Sequence, residues 1–242
     1  MSLFEYSGIA PHYDQWCSGD NAYHPSRDFY IDFLARFEGV FIELGVGTGR
    51  IAIPLSQHDD RYVVGVDRCR AMLNILRTCL PPDANLDLFE ADFISFKSAK
   101  LADVVYLPFR TIGHVLTDDA LLELFRTVHD NLKKDGIFVF DHYMFSKDWA
   151  LTHNGLDTLM FDDGSIRIED RLIYDFSKTI IHCQVRCNGR VIEKFDFRWF
   201  TPDVLRKLTT EIGFKCAALY GDFDYSAWNE DSPNQIWVLK KE

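Results

Sequence analysis

The sequence predicts an α/β protein with one open, doubly wound sheet, mostly parallel, and an antiparallel β excursion before its last helix. Two observations carry this. From about residue 27 to 149, short apolar runs alternate with segments of helical period, the pattern of a parallel sheet with helices on both faces. From 157 to 200 the helical period disappears, and turn sequences separate runs that alternate apolar and polar residues.

Each element has its own signal. Apolar spacing predicts a helix over Ser26 to Phe37, within an N-terminal helical cover of residues 1–37. Strand 40–44, helix 49–58, strand 61–66 and helix 69–79 follow, with Pro54 early in its helix, where a missing amide costs least. Pro81-Pro82 stops the last of these. Strands are expected at 86–89 and at Ala102 to Leu107. The 118–133 segment places Leu121, Leu122, Leu124, Phe125, Val128 and Leu132 on an apolar helix face. Lys133-Lys134-Asp135-Gly136 should end it before a strand from Ile137 to Asp141. Phe161 to Ser165 and Cys187-Asn188-Gly189-Arg190 supply the turns of the excursion (residues 150–200), Asn-Gly being a strong hairpin signal. Thr201-Pro202-Asp203 caps and opens a helix to Ile212. Strands 215–223 and 235–240 close the chain as an antiparallel pair at the sheet edge.

Composition narrows the function classes. At 242 residues and 47% hydrophobic, the chain suits one well-buried domain spanning 1–242. A formal charge of −11 argues against a nucleic-acid partner, which needs clustered lysine and arginine. No signal peptide and no membrane span are apparent. The six scattered cysteines fit reduced thiols in the cytoplasm and leave no second pair to complete a metal site.

The most informative stretch is Phe41-Ile-Glu-Leu-Gly-Val-Gly-Thr-Gly-Arg50. A buried strand runs into three glycines, which let the chain turn sharply and let a ligand approach bare backbone amides. The spacing is Gly-x-Gly-x-Gly with Glu43 ahead of it, not the Gly-x-Gly-x-x-Gly of dinucleotide enzymes. Arg61 to Asp67 is a second apolar strand ending in an acid that either accepts two ribose hydroxyls or caps the next helix.

This pattern resembles the first motifs of class I S-adenosylmethionine-dependent methyltransferases, and the element order resembles their Rossmann-like seven-stranded sheet, whose last strand is antiparallel. The excursion and the Tyr13-Asp14 pair look like those of amino-sugar and glycine-type N-methyltransferases. The resemblance implies S-adenosylmethionine as cofactor. It implies cofactor contacts from Glu43, Gly45, Gly47, Thr48 and Gly49, then Asp67, Arg68 and Met72. Ala91, Asp92 and Phe93 would meet the adenine, with Leu107, Tyr13 and Arg27 completing the set.

Catalytic candidates fall where ligands sit in open α/β sheets, beyond the strands' carboxyl ends. They are His114 in the loop after the fourth strand and His142 and Tyr143 after the fifth, with His12, Tyr13 and Arg110 nearby. His114 is expected to act as a base with a near-neutral pKa, or else to pack beside the cofactor. Only Asp141 stands where metal-dependent relatives carry carboxylates, so no metal is expected.

The acceptor is expected to be a small molecule, methylated on nitrogen or oxygen. A protein or RNA methyltransferase and a catalytically silent, cofactor-binding partner subunit are the alternatives. The aromatic excursion (Tyr174, Phe176, Phe195, Phe197, Trp199, Phe200) would be a small-sheet core, a roof over the site or a homodimer face.

Overall fold

Two sheets organise residues 6–242, which a computed structural model describes. Residues 1–5, including Phe4 at the start of the expected N-terminal cover, lie outside the described residues. The cover continues as a 3-10 turn (Ala10–His12) and two helices, α1 (Tyr13–Ser18) and α2 (Tyr23–Leu34). Next come β1 (Gly39–Leu44), α3 (Ala52–Leu55), β2 (Arg61–Asp67), α4 (Arg70–Cys79) and β3 (Leu86–Glu90). The second half begins with β4 (Ala102–Leu107), α5 (Asp118–Asn131) and β5 (Leu132–Tyr143). After α6 (Lys147–His153), the strands β6 (Asp157–Asp162), β7 (Arg167–Asp175), β8 (Ile180–Cys187) and β9 (Arg190–Arg198) form a separate antiparallel sheet. Helix α7 (Pro202–Ile212) and strands β10 (Phe214–Tyr220) and β11 (Asn234–Lys241) finish the chain.

The main sheet has the order β10-β11-β5-β4-β1-β2-β3. Strands β1 to β5 pair in parallel, whereas β11 runs antiparallel to both β5 and β10. The strands are apolar runs because both faces are covered. On one face Ile42, Val105 and Phe140 pack with Leu121, Phe125 and Leu205 from α5 and α7. On the other, Phe41, Val104 and Val139 pack with Tyr30, Phe33 and Leu73 from α2 and α4. The reversal of strand order between β4 and β1 opens a crevice at their carboxyl ends.

Three local expectations are corrected, and one helix is added. The 49–58 helix shrinks to Ala52–Leu55, because Gly49 lies at φ +86, outside right-handed helix space, and Pro54 has no amide to continue the ladder. The Lys133–Gly136 turn is instead an irregular start to β5. Asp135 takes φ +64, and the pairing with β4 jumps from Ala102↔Leu132 to Val104↔Ile137. Thr201 stands at the start of α7, yet its side chain makes no capping bond. Helix α6 escaped the sequence reading although Ser146 caps it by accepting from the Trp149 amide.

The Asn188-Gly189 hairpin forms as expected, with both residues at positive φ (+48 and +76).

Candidate functional site

A cavity of about 1050 Å³ lies over the carboxyl ends of β1 to β5. Its floor comes from the loops after those strands, its side wall from the N-terminal cover, and its roof from the second sheet.

The glycine loop follows β1. Gly45 takes φ +73, and a Cβ there would press within 2.7 Å of the Thr111 methyl. Gly47 takes φ +55 with nothing within 4 Å of a would-be Cβ, so it presents bare backbone to the cavity. The Gly47 amide donates to Asp67 Oδ2 at 2.8 Å, while Asp67 Oδ1 accepts from the Cys69 amide at 2.8 Å. Asp67 therefore fixes the loop, orders the start of α4 and still borders the cavity. Burial raises its pKa, opposed by those backbone donors.

Farther along the floor, Asp92 and Phe93 line the cavity, and Asp92 Oδ1 also accepts from the Ile94 amide at 2.9 Å. Arg68, Met72 and Tyr13 line it too. Five of the expected cofactor contacts stand back from it. Thr48 donates to Asp14 at 3.1 Å and ties the loop to α1. Gly49 packs against Leu76, Leu107 lies in the sheet core, and the Ala91 amide donates to the Asp67 carbonyl. Arg27 is half-exposed beside Asp28. Their chain positions fit the motif, but strand alternation and loop curvature turn them away.

Glu43 is also turned away. It is buried behind the loop, where Tyr106 donates its hydroxyl at 3.0 Å, and burial pushes its pKa up to about 8. Glu43 therefore does not line the cavity, and positioning the cofactor's amino group from there would run through water or the glycine loop rather than by direct contact.

At the other end, Asp141 is fully buried. It accepts from the Tyr30 hydroxyl (2.8 Å) and the amides of Phe109 (2.7 Å) and Arg110 (2.9 Å). Phe109 and Arg110 sit consecutively at φ +54 and +62, so this carboxylate holds a strained turn after β4. Arg110 reaches Asp20 at 2.5 Å on the cavity wall. Arg50, overlooked in the sequence, lies across the rings of Tyr23 and Phe109 and donates to the Tyr23 carbonyl at 2.7 Å, clamping the cover onto the floor.

The candidate histidines separate. His114 lines the cavity, with Nε2 2.9 Å from the Tyr6 hydroxyl and Phe197 edge-on at 5.1 Å. His142 is fully buried beneath, stacked on Phe197 and next to Phe200, and does not reach the cavity. Burial pushes both pKa values down to about 3, which corrects the expectation of a near-neutral base. Tyr143 does line the cavity, and its buried hydroxyl has no hydrogen-bond partner among the described residues. His12 stands outside the lining.

Sequence reasoning missed one acid. Asp170 on β7 is 8% exposed, lines the roof and accepts from the Trp16 indole at 2.7 Å. Burial pushes its pKa up to about 7. The signal was present: Ile168, Asp170, Leu172 and Tyr174 alternate onto one strand face, which puts a carboxylate among apolar neighbours. Among the described residues no cluster of three or more His, Cys, Asp or Glu side chains could hold a metal ion.

The chain was compared with known families, sequences and structures. Residues 41–136 match the family described as "Methyltransferase domain". An uncharacterized methyltransferase of Oceanobacillus iheyensis is 27% identical over 200 residues, 78% of this chain and 91% of that protein. A solved S-adenosylmethionine-dependent methyltransferase from Clostridium acetobutylicum superposes with a TM-score of 0.78 at 17% identity, covering 98% of each chain. An amino pentose methyltransferase from Micromonospora echinaspora, solved with S-adenosylmethionine bound, gives 0.69 at 16% identity over 96% of this chain and 95% of that one. Together with the glycine loop, its acid and the strand order, these matches show a methyltransferase domain over residues 41–136 on an α/β methyltransferase fold, and they support an S-adenosylmethionine-dependent methyltransferase.

Proposed function

We propose that this enzyme methylates a nitrogen or oxygen of a small-molecule acceptor held between the floor loops and the roof sheet. The observation that carries this is one continuous cavity of about 1050 Å³, which runs from Gly47 to Tyr143 and Asp170. Drug-sized ligands occupy roughly 300–1,000 Å³, so a cofactor and a small acceptor fill such a space together. Walls on three sides suit a molecule that enters whole better than a segment of protein or RNA. The likeness to an amino pentose methyltransferase supports the same reading.

The floor residues fit S-adenosylmethionine. Gly45 and Gly47 offer backbone, Asp67 a carboxylate for ribose hydroxyls, and Asp92 with Phe93 a place for the adenine. Met72, Arg68 and Tyr13 would close around it. The bound cofactor supplies a methyl already activated on a sulfonium. The protein is left to orient the acceptor, exclude water and manage its proton. We assign orientation of the acceptor to His114 and Tyr143, with His142 supporting Tyr143 from behind. We assign the excursion the role of lid, not dimer face. We place the enzyme in the cytoplasm, where its six unpaired cysteines would stay reduced.

Calorimetric titration with S-adenosylhomocysteine, the demethylated cofactor, tests the site. Asp67→Ala should lose about 1–3 kcal/mol of affinity, roughly 5- to 150-fold. A panel of amines and hydroxyl compounds should then release S-adenosylhomocysteine from S-adenosylmethionine. Release only with protein or RNA would overturn the small-acceptor reading.

A further inference from the structure

We propose that Asp170, on the cavity face of β7, is the base that takes a proton from a protonated amine acceptor. The inference rests on the small-acceptor reading above and adds both a residue and a substrate class to it.

Three observations lead there. Asp170 is 8% exposed, and what exposure it has faces the cavity. Its Oδ1 is held by the Trp16 indole at 2.7 Å, so the carboxyl is oriented, while Oδ2 takes no donor from the described residues. The two histidine candidates, His114 on the cavity wall and His142 beneath it, have too little basicity to serve, being pushed to about 3. A carboxyl near 7 is well matched to proton transfer at neutral pH.

Charge selects the acceptor. Its acidic neighbour Asp20 is already paired with Arg110 at 2.5 Å, so on the roof sheet Asp170 offers the carboxylate to meet a cation. In a poorly solvated cavity an ammonium gains more from that carboxylate than a neutral hydroxyl does. In the proposed step one N–H bond of the ammonium breaks and an O–H bond forms at Oδ2. The electron pair stays on nitrogen, which becomes the nucleophile. Asp170 later passes the proton to solvent.

The groups around Asp170 leave it as the one that titrates near neutrality. From α1 and the turn after it come Trp16, Cys17 and Asp20, the last with Arg110 beside it. From β8 comes Cys183. From β6 comes Thr158, opposite Asp170 in register. Burial raises both thiols, Cys17 and Cys183, so they stay neutral.

The experiment uses the full chain, S-adenosylmethionine and a panel of primary amines and hydroxyl compounds, with S-adenosylhomocysteine release measured from pH 5.5 to 9. Amines should react, with kcat/KM rising through about pH 7. Asp170→Asn should lose about 100-fold or more and the rising limb, whereas Asp170→Glu should recover part of both. Trp16→Phe removes a donor that favours the carboxylate, so its limb should move to higher pH. Affinity for S-adenosylhomocysteine should stay within three-fold in all three variants.

A readout free of activity accompanies these. The folded pKa of Asp170 lies above its unfolded value, so the native state holds the extra proton and stability falls as pH rises toward 7. In the unliganded protein, Asp170→Asn should therefore gain Tm relative to wild type between pH 5 and 8. Turnover by Asp170→Asn within three-fold of wild type with the limb intact would overturn the inference. So would a preference for hydroxyl acceptors, or superimposable melting curves. If wild type binds S-adenosylhomocysteine yet methylates no small acceptor, the small-acceptor reading itself falls, and the role of Asp170 with it.

Discussion

Asp141→Ala is expected to destabilise the protein by about 3–5 kcal/mol, the range for removing one partner of a buried, fully bonded charge. Alanine would leave three donors without an acceptor: the Tyr30 hydroxyl and the amides of Phe109 and Arg110. It would also release the two consecutive left-handed residues, a conformation that persists only where the surroundings impose it. Two of the donors share Oδ1 and the Arg110 amide uses Oδ2. Asp141→Asn, with its carbonyl at the Oδ1 position, keeps two bonds and sets an amide N–H against the third donor. It should therefore cost less, about 1–3 kcal/mol. Urea unfolding at pH 7 would rank the three proteins. An alanine variant within 1 kcal/mol of wild type would show that the turn after β4 holds without its carboxylate. Because Arg110 belongs to that turn and reaches Asp20 on the wall, turnover should fall along with stability.

The elements that the sequence revealed are those whose burial is decided locally. Strands β1, β2, β4 and β5 are apolar on both faces, so Val63-Val64 and Val104-Val105 announce a covered sheet without any knowledge of their partners. The glycine loop is equally legible, since its residues are chosen by backbone shape. The site itself was legible only as a set of loops. Whether a side chain faces the cavity depends on which elements press on it from elsewhere. His142 and Tyr143 are neighbours in sequence, yet Phe197 and Phe200 bury the first and leave the second on the wall. Glu43 is turned inward by Tyr106, and Asp170, placed on the cavity face by strand alternation, is held there by Trp16 of α1. Helix α3 is short because Gly49, at φ +86, takes up a geometry that a helix excludes where the expected helix would begin. For His142, Tyr143 and Glu43 the deciding contact comes from residues far away in the chain, which periodicity does not report.

Glu43→Gln is expected to reverse sign with pH, and this offers the sharpest check on that buried acid. Among the described residues the carboxyl has the Tyr106 hydroxyl at 3.0 Å and the Ala52 amide as donors, and burial outweighs both, raising it from the ordinary 4.5 to about 8. The native state therefore binds a proton that the unfolded chain has already lost above about pH 4.5. Its contribution is fully present below that pH and is lost as pH rises through 8. A shift of this size corresponds to about 5 kcal/mol at most, with the nearby Arg50 charge and local relaxation reducing it. Glutamine resembles the protonated acid in shape and carries no proton to lose. Near pH 5 the variant should match wild type or fall slightly below it; at pH 9 it should be more stable, on the order of 2–4 kcal/mol. Because Glu43 does not face the cavity, affinity for S-adenosylhomocysteine should change by no more than a few-fold. Thermal melts from pH 5 to 9, paired with titrations at pH 7, measure both. Parallel melting curves for the two proteins would mean that Glu43 is ionised in the native state. A large loss of affinity would mean that it acts on the cofactor after all, through the glycine loop it supports.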